Sequence, residues 1–153
     1  MLKSSITGPV QDIPEKVDNT LLQILAWPRS HGSIEELRFC TWLEAEITKI
    51  RGKAPAKMAE GCLYVVVPNK KVASTTLFSC HVDTVDAPVG LSPEGALQLK
   101  SLTYDPSFGL IGLDSASKLG TCLGADDGAG VWLMLEKLKA EVLSITSATG
   151  LPW

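Results

Sequence analysis

The stretch LFSCHVDTV, residues 77–85, decides the fold prediction, because an apolar run ends there in a His-x-Asp pattern. We predict that residues 75–81 form a buried strand in the middle of a sheet that is covered on both faces. Side chains alternate along a strand, so His81 and Asp83 should point the same way at its C-terminal end. An Asp in that position is well placed to hold the imidazole in its metal-binding tautomer.

A second polar stretch, LGADDGAG at residues 123–130, places two carboxylates where a loop turns into a helix. Imidazole and carboxylate groups are ligands that bind a divalent metal such as zinc. Simpler roles also fit each motif alone: His81 can be the polar end of a strand, and Asp126 or Asp127 can cap the next helix. The two motifs together, in this order, are the more specific signal.

The combination resembles the metal-binding segments of the dizinc exopeptidases, the group of tripeptidase T, carboxypeptidase G, acetylornithine deacetylase and the aminoacylases. The shared pattern is an apolar strand, His-x-Asp-Thr, a loop with a hairpin, and Gly-x-Asp-Asp-x-x-Gly opening a helix. The resemblance covers about residues 18–139 and is closest to the tripeptidase-like members. It implies an α/β fold: a three-layer domain with a mixed, mostly parallel sheet and helices on both faces, of phosphorylase/hydrolase-like type, here incomplete.

The resemblance also assigns roles to the polar residues. His81 would bind one zinc ion, and Asp126 would bridge the two zinc ions that the family carries. Asp83 would hydrogen-bond His81, and Asp127 would shape the turn, where the Asp126–Asp127 peptide bond is commonly cis in the family. Two glycines would let the following helix approach the site closely, Gly128 and Gly130.

The implied activity is metal-dependent hydrolysis of peptide or amide bonds, as in a tripeptidase, an aminopeptidase or another exopeptidase. Such hydrolysis needs a metal that lowers the pKa of a bound water and a base that takes its proton. The substrate would be a peptide or an acyl-amino acid, and the sequence leaves that choice open.

The family also has a Glu-Glu pair that supplies the base and a ligand, a later acidic ligand, a distal His and an inserted lid or dimerisation domain. None of these follows Lys139, where the only acidic residue is Glu141. His31 lies in a turn before a helix and is interpreted as a surface or capping residue.

We therefore expect residues 1–16 to be a loose lead-in, residues 17–139 to be the N-terminal part of a zinc-peptidase domain, and residues 140–153 to be an atypical tail from a truncation or frameshift. The chain would then be an inactive peptidase, and the homodimer contact would belong to the missing domain. The alternative is a non-catalytic relic or binding module that keeps the fold.

Local patterns predict the remaining elements. The stretch Asp18–Thr20 should cap a helix over residues 21–26, and Ser33 with Glu36 forms a capping box for a helix that ends near residue 50. The core-facing stripe of that second helix is predicted from its spacing to be Leu37, Cys40, Leu43 and Ile47. Further predictions are a strand at 62–67, an antiparallel pair of 96–100 with 108–113, and a helix after Gly130 that is buried all round.

Composition limits the classes of function. A chain of 153 residues is long enough for one domain, and its net charge of −3 argues against a nucleic-acid partner. No apolar run is long enough for a membrane span or a signal-peptide core, so a cytoplasmic protein is expected. A phosphate or calcium loop is disfavoured, since the sequence has neither Gly-x-x-x-x-Gly-Lys nor Asp-x-Asp-x-Asp-Gly.

Overall fold

The computed structural model describes residues 13–58, 61–67, 76–86, 89–115, 119 and 122–149. In chain order its elements are the helices and strands α1 Asn19–Ala26, α2 Ile34–Arg51, β1 Ala56–Lys57, β2 Leu63–Tyr64, β3 Leu102–Asp105, β4 Leu110–Leu113 and α3 Ala125–Thr149. Residues 1–12 of the predicted lead-in and residues 150–153 of the predicted tail lie outside the described residues.

The strands form two separate antiparallel hairpins. Among the described residues, strand β1 pairs with β2 alone, and β3 pairs with β4 alone. In the described ranges there is no parallel sheet, and the single parallel contact is an isolated bridge between Ser30 and Thr84. The predicted three-layer α/β fold with a mostly parallel sheet is therefore wrong; the structure is a small mixed domain of three helices and two hairpins.

The error lies in the two apolar runs that should have formed the centre of the sheet. Of residues 62–67 only Leu63–Tyr64 is paired, and residues 76–81 are extended without a ladder partner among the described residues. Leu77 is 88% exposed, so this segment is not buried. Apolar composition favours a strand, but a strand forms only where a neighbour accepts and donates its backbone hydrogen bonds.

The helix starts follow the predicted caps. Asp18 accepts a hydrogen bond from the Leu21 N–H at 3.0 Å, and α1 begins at Asn19, two residues earlier than predicted. The Ser33 hydroxyl accepts from the Glu36 N–H at 3.1 Å and caps α2. Both caps are confirmed, because a cap depends only on residues three positions apart. The second half of the predicted capping box is not formed, since the Glu36 carboxylate accepts from the Gly32 N–H and the Ser33 N–H donates to the Ser30 carbonyl.

The buried face of α2 differs from the predicted stripe. Leu43 and Ile47 are buried, but Leu37 is exposed, and Phe39 is completely buried in its place. The Phe39 ring packs edge-on against Trp27, with ring centroids 5.3 Å apart and an interplanar angle of 81°. Periodicity alone allowed either face, and the aromatic contact with the segment after α1 selects the one that carries Phe39.

The second hairpin is displaced from its predicted position. Its second strand agrees with the prediction, but the partner is β3, and residues 96–100 contribute only an isolated bridge of Leu97 to Leu91. The turn at residues 106–109 explains the shift: Asp105 accepts from the Ser107 N–H at 2.8 Å, and Gly109 adopts a φ of 65°. Such a tight turn pairs the strands directly beside it.

Helix α3 buries one face only. Val131, Leu135 and Leu138 are buried against α1 and α2, whereas Leu133 and Leu143 are exposed. The prediction of a helix buried on all sides is therefore wrong. Residues 140–149 of the predicted tail continue this helix. In the part of the chain that the structure describes, no helix is both long enough and apolar enough to cross a bilayer.

Candidate metal centre

A cleft of about 270 Å³ lies where the extended segment meets the start of α3. Its lining residues are 81, 83–85 and 122–126. Both sequence motifs therefore contribute to one concave surface, although they lie far apart in the chain. The cleft contains three of the four predicted site residues, His81, Asp83 and Asp126.

His81 and Asp126 are in direct contact. The His81 Nε2 atom lies 3.1 Å from Asp126 Oδ1, and the Asp126 side chain is otherwise almost wholly exposed. The other ring nitrogen, Nδ1, lies 3.1 Å from the Asp83 carbonyl oxygen and 3.3 Å from its carboxylate Oδ1. The structure thus brings together the predicted ligand pair and places Asp83 on the opposite side of the imidazole.

Both ring nitrogens of His81 face oxygen atoms that can only accept hydrogen bonds. Slight burial disfavours the protonated ring, but the bonds to Asp126 and to Asp83 outweigh it and raise the pKa of His81. The imidazolium donates to both acceptors at once. A neutral ring that donates from Nδ1 to Asp83 leaves the Nε2 lone pair facing Asp126, which is a position for a cation.

The two donor atoms are of types that a zinc ion binds. Zinc lies about 2.0–2.2 Å from nitrogen and carboxylate oxygen, so two tetrahedral ligands have donor atoms about 3.4 Å apart. The observed Nε2–Oδ1 distance of 3.1 Å is shorter than that value and is the length of an ordinary hydrogen bond. The feature that suits zinc is therefore the type of the two donors, an imidazole nitrogen and a carboxylate oxygen.

Asp127 has a different neighbourhood. Its Oδ1 atom accepts from the Gly130 N–H at 3.0 Å, inside the first turn of α3. A Cβ atom at position 130 would overlap this carboxylate, so glycine is needed there. The Asp126–Asp127 peptide bond is cis. Asp127 therefore shapes the start of the helix and does not line the cleft with His81.

His31 approaches the site from the other side. Its Nδ1 atom lies 4.0 Å from Asp83 Oδ2, and its side chain is highly exposed. Among the described residues, no group of three or more His, Cys, Asp and Glu side chains is arranged to hold a metal ion. The site thus contains two donors in contact and one carboxylate that orients the imidazole.

A buried polar cluster fixes the two segments that form the cleft. Lys100 Nζ donates to Asp86 Oδ2 at 2.7 Å and to the Cys122 carbonyl at 2.7 Å, and both charged side chains are fully buried. Asp86 also accepts from the Thr84 hydroxyl at 3.0 Å and from the Cys122 N–H at 3.2 Å. The Thr84 N–H donates to the Arg29 carbonyl at 2.8 Å. Residues 84–86 and 122 are therefore held together below the cleft.

The burial of these charged residues was not predicted from the sequence. The sequence signal that could have identified them is a charged residue within or beside an apolar stretch, as at Arg29, Asp86 and Lys100. A buried charge must be paired or hydrogen-bonded, so its position indicates a packed junction. The partners lie up to 95 positions apart, and sequence spacing does not reveal them.

No protein-family model, curated protein or solved structure matches this chain. The resemblance to the dizinc exopeptidases therefore rests on the two sequence motifs alone.

Proposed function

We propose that His81 and Asp126 form part of a divalent metal site, most suitably for zinc, that derives from a peptide- or amide-hydrolysing exopeptidase. The observation that carries this proposal is the contact of 3.1 Å between His81 Nε2 and Asp126 Oδ1, with Nδ1 directed at Asp83. The residue types, their order in the chain and their meeting in one cleft support it together.

Each of the candidate residues would have a different role in such a site. His81 Nε2 and Asp126 would hold the ion. Asp83 would accept a hydrogen bond from His81 Nδ1–H, which keeps the proton on Nδ1 and leaves the Nε2 lone pair free to bind the ion. When bound, zinc would supply Lewis acidity and lower the pKa of a water molecule. The exposed Asp126 carboxylate has a second oxygen available for another ion or for a substrate group.

Binding without turnover is the expected behaviour of this chain. Peptide hydrolysis also requires a base within reach of the metal-bound water. Asp83 faces the imidazole, Asp127 faces the Gly130 N–H, and no further carboxylate lies in the described cleft. The substrate class, a peptide or an acyl-amino acid, thus applies to the parent activity of the family that the motifs resemble.

A non-catalytic binding module is the second candidate. The small number of metal-binding side chains in the cleft favours this candidate, because two ligands bind a metal weakly compared with the four ligands of a closed zinc site. In this case the cleft would be retained without a metal, and the contact between His81 and Asp126 would be a hydrogen-bonded ion pair.

Zinc titration by calorimetry distinguishes the two candidates. We expect the full chain to bind zinc, His81→Ala and Asp126→Asn to abolish binding, and Asp83→Asn to weaken it by about 10–100-fold. His31→Ala is the matched control, since it removes the other histidine without touching Asp126. Zinc binding that survives His81→Ala, or no binding by the unmodified chain, would reject the metal site.

An activity assay tests the absence of turnover. We expect no hydrolysis of a tripeptide or an N-acyl-amino acid with zinc present. Metal-dependent hydrolysis that disappears in His81→Ala would show that a complete catalytic set exists and would contradict the expectation of binding alone.

A further inference from the structure

Arg29 is buried between the two segments that carry the candidate ligands. Arg29 is completely buried, and it forms no ion pair in the part of the chain that the structure describes. Its guanidinium instead donates to main-chain carbonyl oxygens. Nε donates to Val82 at 2.5 Å, and Nη2 donates to Gly124 at 2.9 Å. A planar guanidinium directs its N–H groups along fixed directions, so both carbonyls are held by one rigid group.

The positions of these two carbonyls link Arg29 to the site. Val82 directly follows His81, and Gly124 is two residues before Asp126. The remaining nitrogen, Nη1, donates to the Ile24 carbonyl and, at 3.2 Å, to the Trp27 carbonyl at the end of α1. One side chain therefore anchors both ligand-bearing segments to the same helix end.

The surroundings keep the guanidinium in place. Burial lowers the pKa of Arg29 to about 10, and the nearby Cys122 and Asp86 oppose this change. The group is thus still charged at neutral pH, and it lies 4.5 Å above the centroid of the Phe39 ring. A buried cation is tolerated when all its donors find acceptors and an aromatic face covers it.

Glycine at position 128 makes room for this arrangement. A Cβ atom on Gly128 would lie 2.8 Å from Arg29 Nη2 and 2.9 Å from Ile24 Cγ2, which is closer than such contacts allow. A side chain at position 128 would therefore force the Arg29 guanidinium or the end of the Ile24 side chain to shift. Asp126 lies two residues before Gly128, where the backbone is not yet helical, so the fit at Gly128 and the position of the ligand are connected through a short stretch of backbone.

We propose that Arg29 is a positioning residue that sets the distance between His81 and Asp126 by holding the carbonyls of Val82 and Gly124. The metal-binding arm of its test rests on the proposed function, whereas the geometric arm does not.

The geometric arm measures the position of the His81 ring in the metal-free chain. The chain has only two histidines, so their ring protons are readily assigned by NMR. We expect nuclear Overhauser contacts between the His81 ring and the Asp126 β protons at one fixed pH. Arg29→Met should remove them, and Arg29→Lys should also remove them, because a lysine keeps the charge but lacks the fork of donors.

Gly128→Ala is the milder variant, since it leaves Arg29 in the chain and displaces its guanidinium. Gly112→Ala is the matched control, because a Cβ there meets only Thr103 Cγ2 at 3.9 Å. Alanine favours a helix over glycine, so an effect of helix propensity alone would stabilise Gly128→Ala. We expect the His81–Asp126 contacts to be lost in Gly128→Ala and kept in Gly112→Ala.

The zinc arm repeats the calorimetric titration on the same variants. We expect at least a tenfold loss of zinc affinity in Gly128→Ala and no loss in Gly112→Ala. If the unmodified chain binds no zinc, the proposed function fails, and the Overhauser contacts still decide the role of Arg29.

Two results would overturn the positioning role. One is a folded Gly128→Ala or Arg29→Met chain whose His81–Asp126 contacts equal those of the unmodified protein. The other is global unfolding of all the Arg29 and Gly128 variants, seen as loss of helical circular dichroism, since Arg29 would then be a determinant of the whole fold.

Discussion

Helix α2 and the extended residues 76–80 are both rich in apolar side chains, but one apolar face of the helix is buried, whereas the extended segment is mostly exposed. Phe39 of α2 is completely buried among aromatic rings, whereas Phe78 of the extended segment is 51% exposed. A helix satisfies its backbone hydrogen bonds internally, so it needs only a packing surface for its apolar stripe. An extended segment needs a neighbouring strand as well, and residues 76–80 have none among the described residues.

The candidate site lies at the junction of these two regions. His81 ends the exposed segment, and the buried Arg29 and the Lys100–Asp86 pair attach the adjoining residues to the helical core. The exposed segment is thus held in place by hydrogen bonds at the end that carries His81, the candidate ligand. This arrangement suggests four experiments on the contrast between the two regions.

The largest difference in unfolding free energy between the two regions should come from removing one phenylalanine ring from each. Phe39→Ala should lower the free energy of unfolding by about 3–5 kcal/mol, because it leaves a cavity in a packed aromatic cluster. Phe78→Ala should cost about 1 kcal/mol or less, since that ring is half-exposed and its main partner is the Lys137 ammonium at 5.0 Å. Urea denaturation measures both values, and equal losses would remove the contrast between the regions.

The buried ion pair tests the junction itself. Lys100→Met should cost about 3–5 kcal/mol in unfolding free energy, because it leaves the Asp86 carboxylate buried without its cation. The double variant Lys100→Met with Asp86→Leu should cost less than the sum of the two single changes, since no buried charge is left unpaired. Strictly additive losses in a double-mutant cycle would show that the two charges are not coupled.

A smaller effect is expected at the start of α1. Burial opposes ionisation of Asp18, but hydrogen bonds from Leu21, Thr20 and Trp132 outweigh it and lower the pKa of Asp18 below its usual 3.8. The ionised carboxylate therefore stabilises the fold above about pH 4, and this contribution is lost as the pH falls through the lowered pKa. Asp18→Ala should cost about 1 kcal/mol at pH 7.

Asp18→Asn is the control for the acid dependence, because asparagine caps a helix without titrating. Thermal melts of both chains between pH 7 and pH 2 measure the difference. We expect the unmodified chain to lose stability more steeply below pH 4 than Asp18→Asn, and parallel curves would contradict the lowered pKa.

The smallest change in stability should come from the exposed segment. Leu77→Ser should alter the free energy of unfolding by no more than about 0.5 kcal/mol, as for other exposed positions. It should also reduce aggregation, because it removes an exposed apolar side chain from a segment that has no ladder partner among the described residues. Light scattering at increasing protein concentration measures this, with Leu135→Ser as the buried control. A large loss of stability in Leu77→Ser would mean that this segment is packed in solution.

Sequence reasoning succeeded where the interactions are local and failed where a distant partner decides. The caps at Asp18 and Ser33 were predictable, since each side chain bonds to a backbone N–H three residues later. The face of α2 that carries Phe39 and the pairing of β3 with β4 depend on contacts and turns that periodicity does not contain. The central strand at residues 75–81 was predicted from composition without a partner to complete it.

By itself, the sequence determined which groups are available for chemistry, an imidazole at His81 and carboxylates at Asp83 and Asp126, and which polar residues can cap α1 and α2. Only the tertiary structure decided that His81 and Asp126 meet and that Arg29 holds the backbone beside each of them. The physical reason is that capping and helix formation act over a few residues, whereas the cost of burying a charge is offset only by acceptors that folding brings from distant parts of the chain.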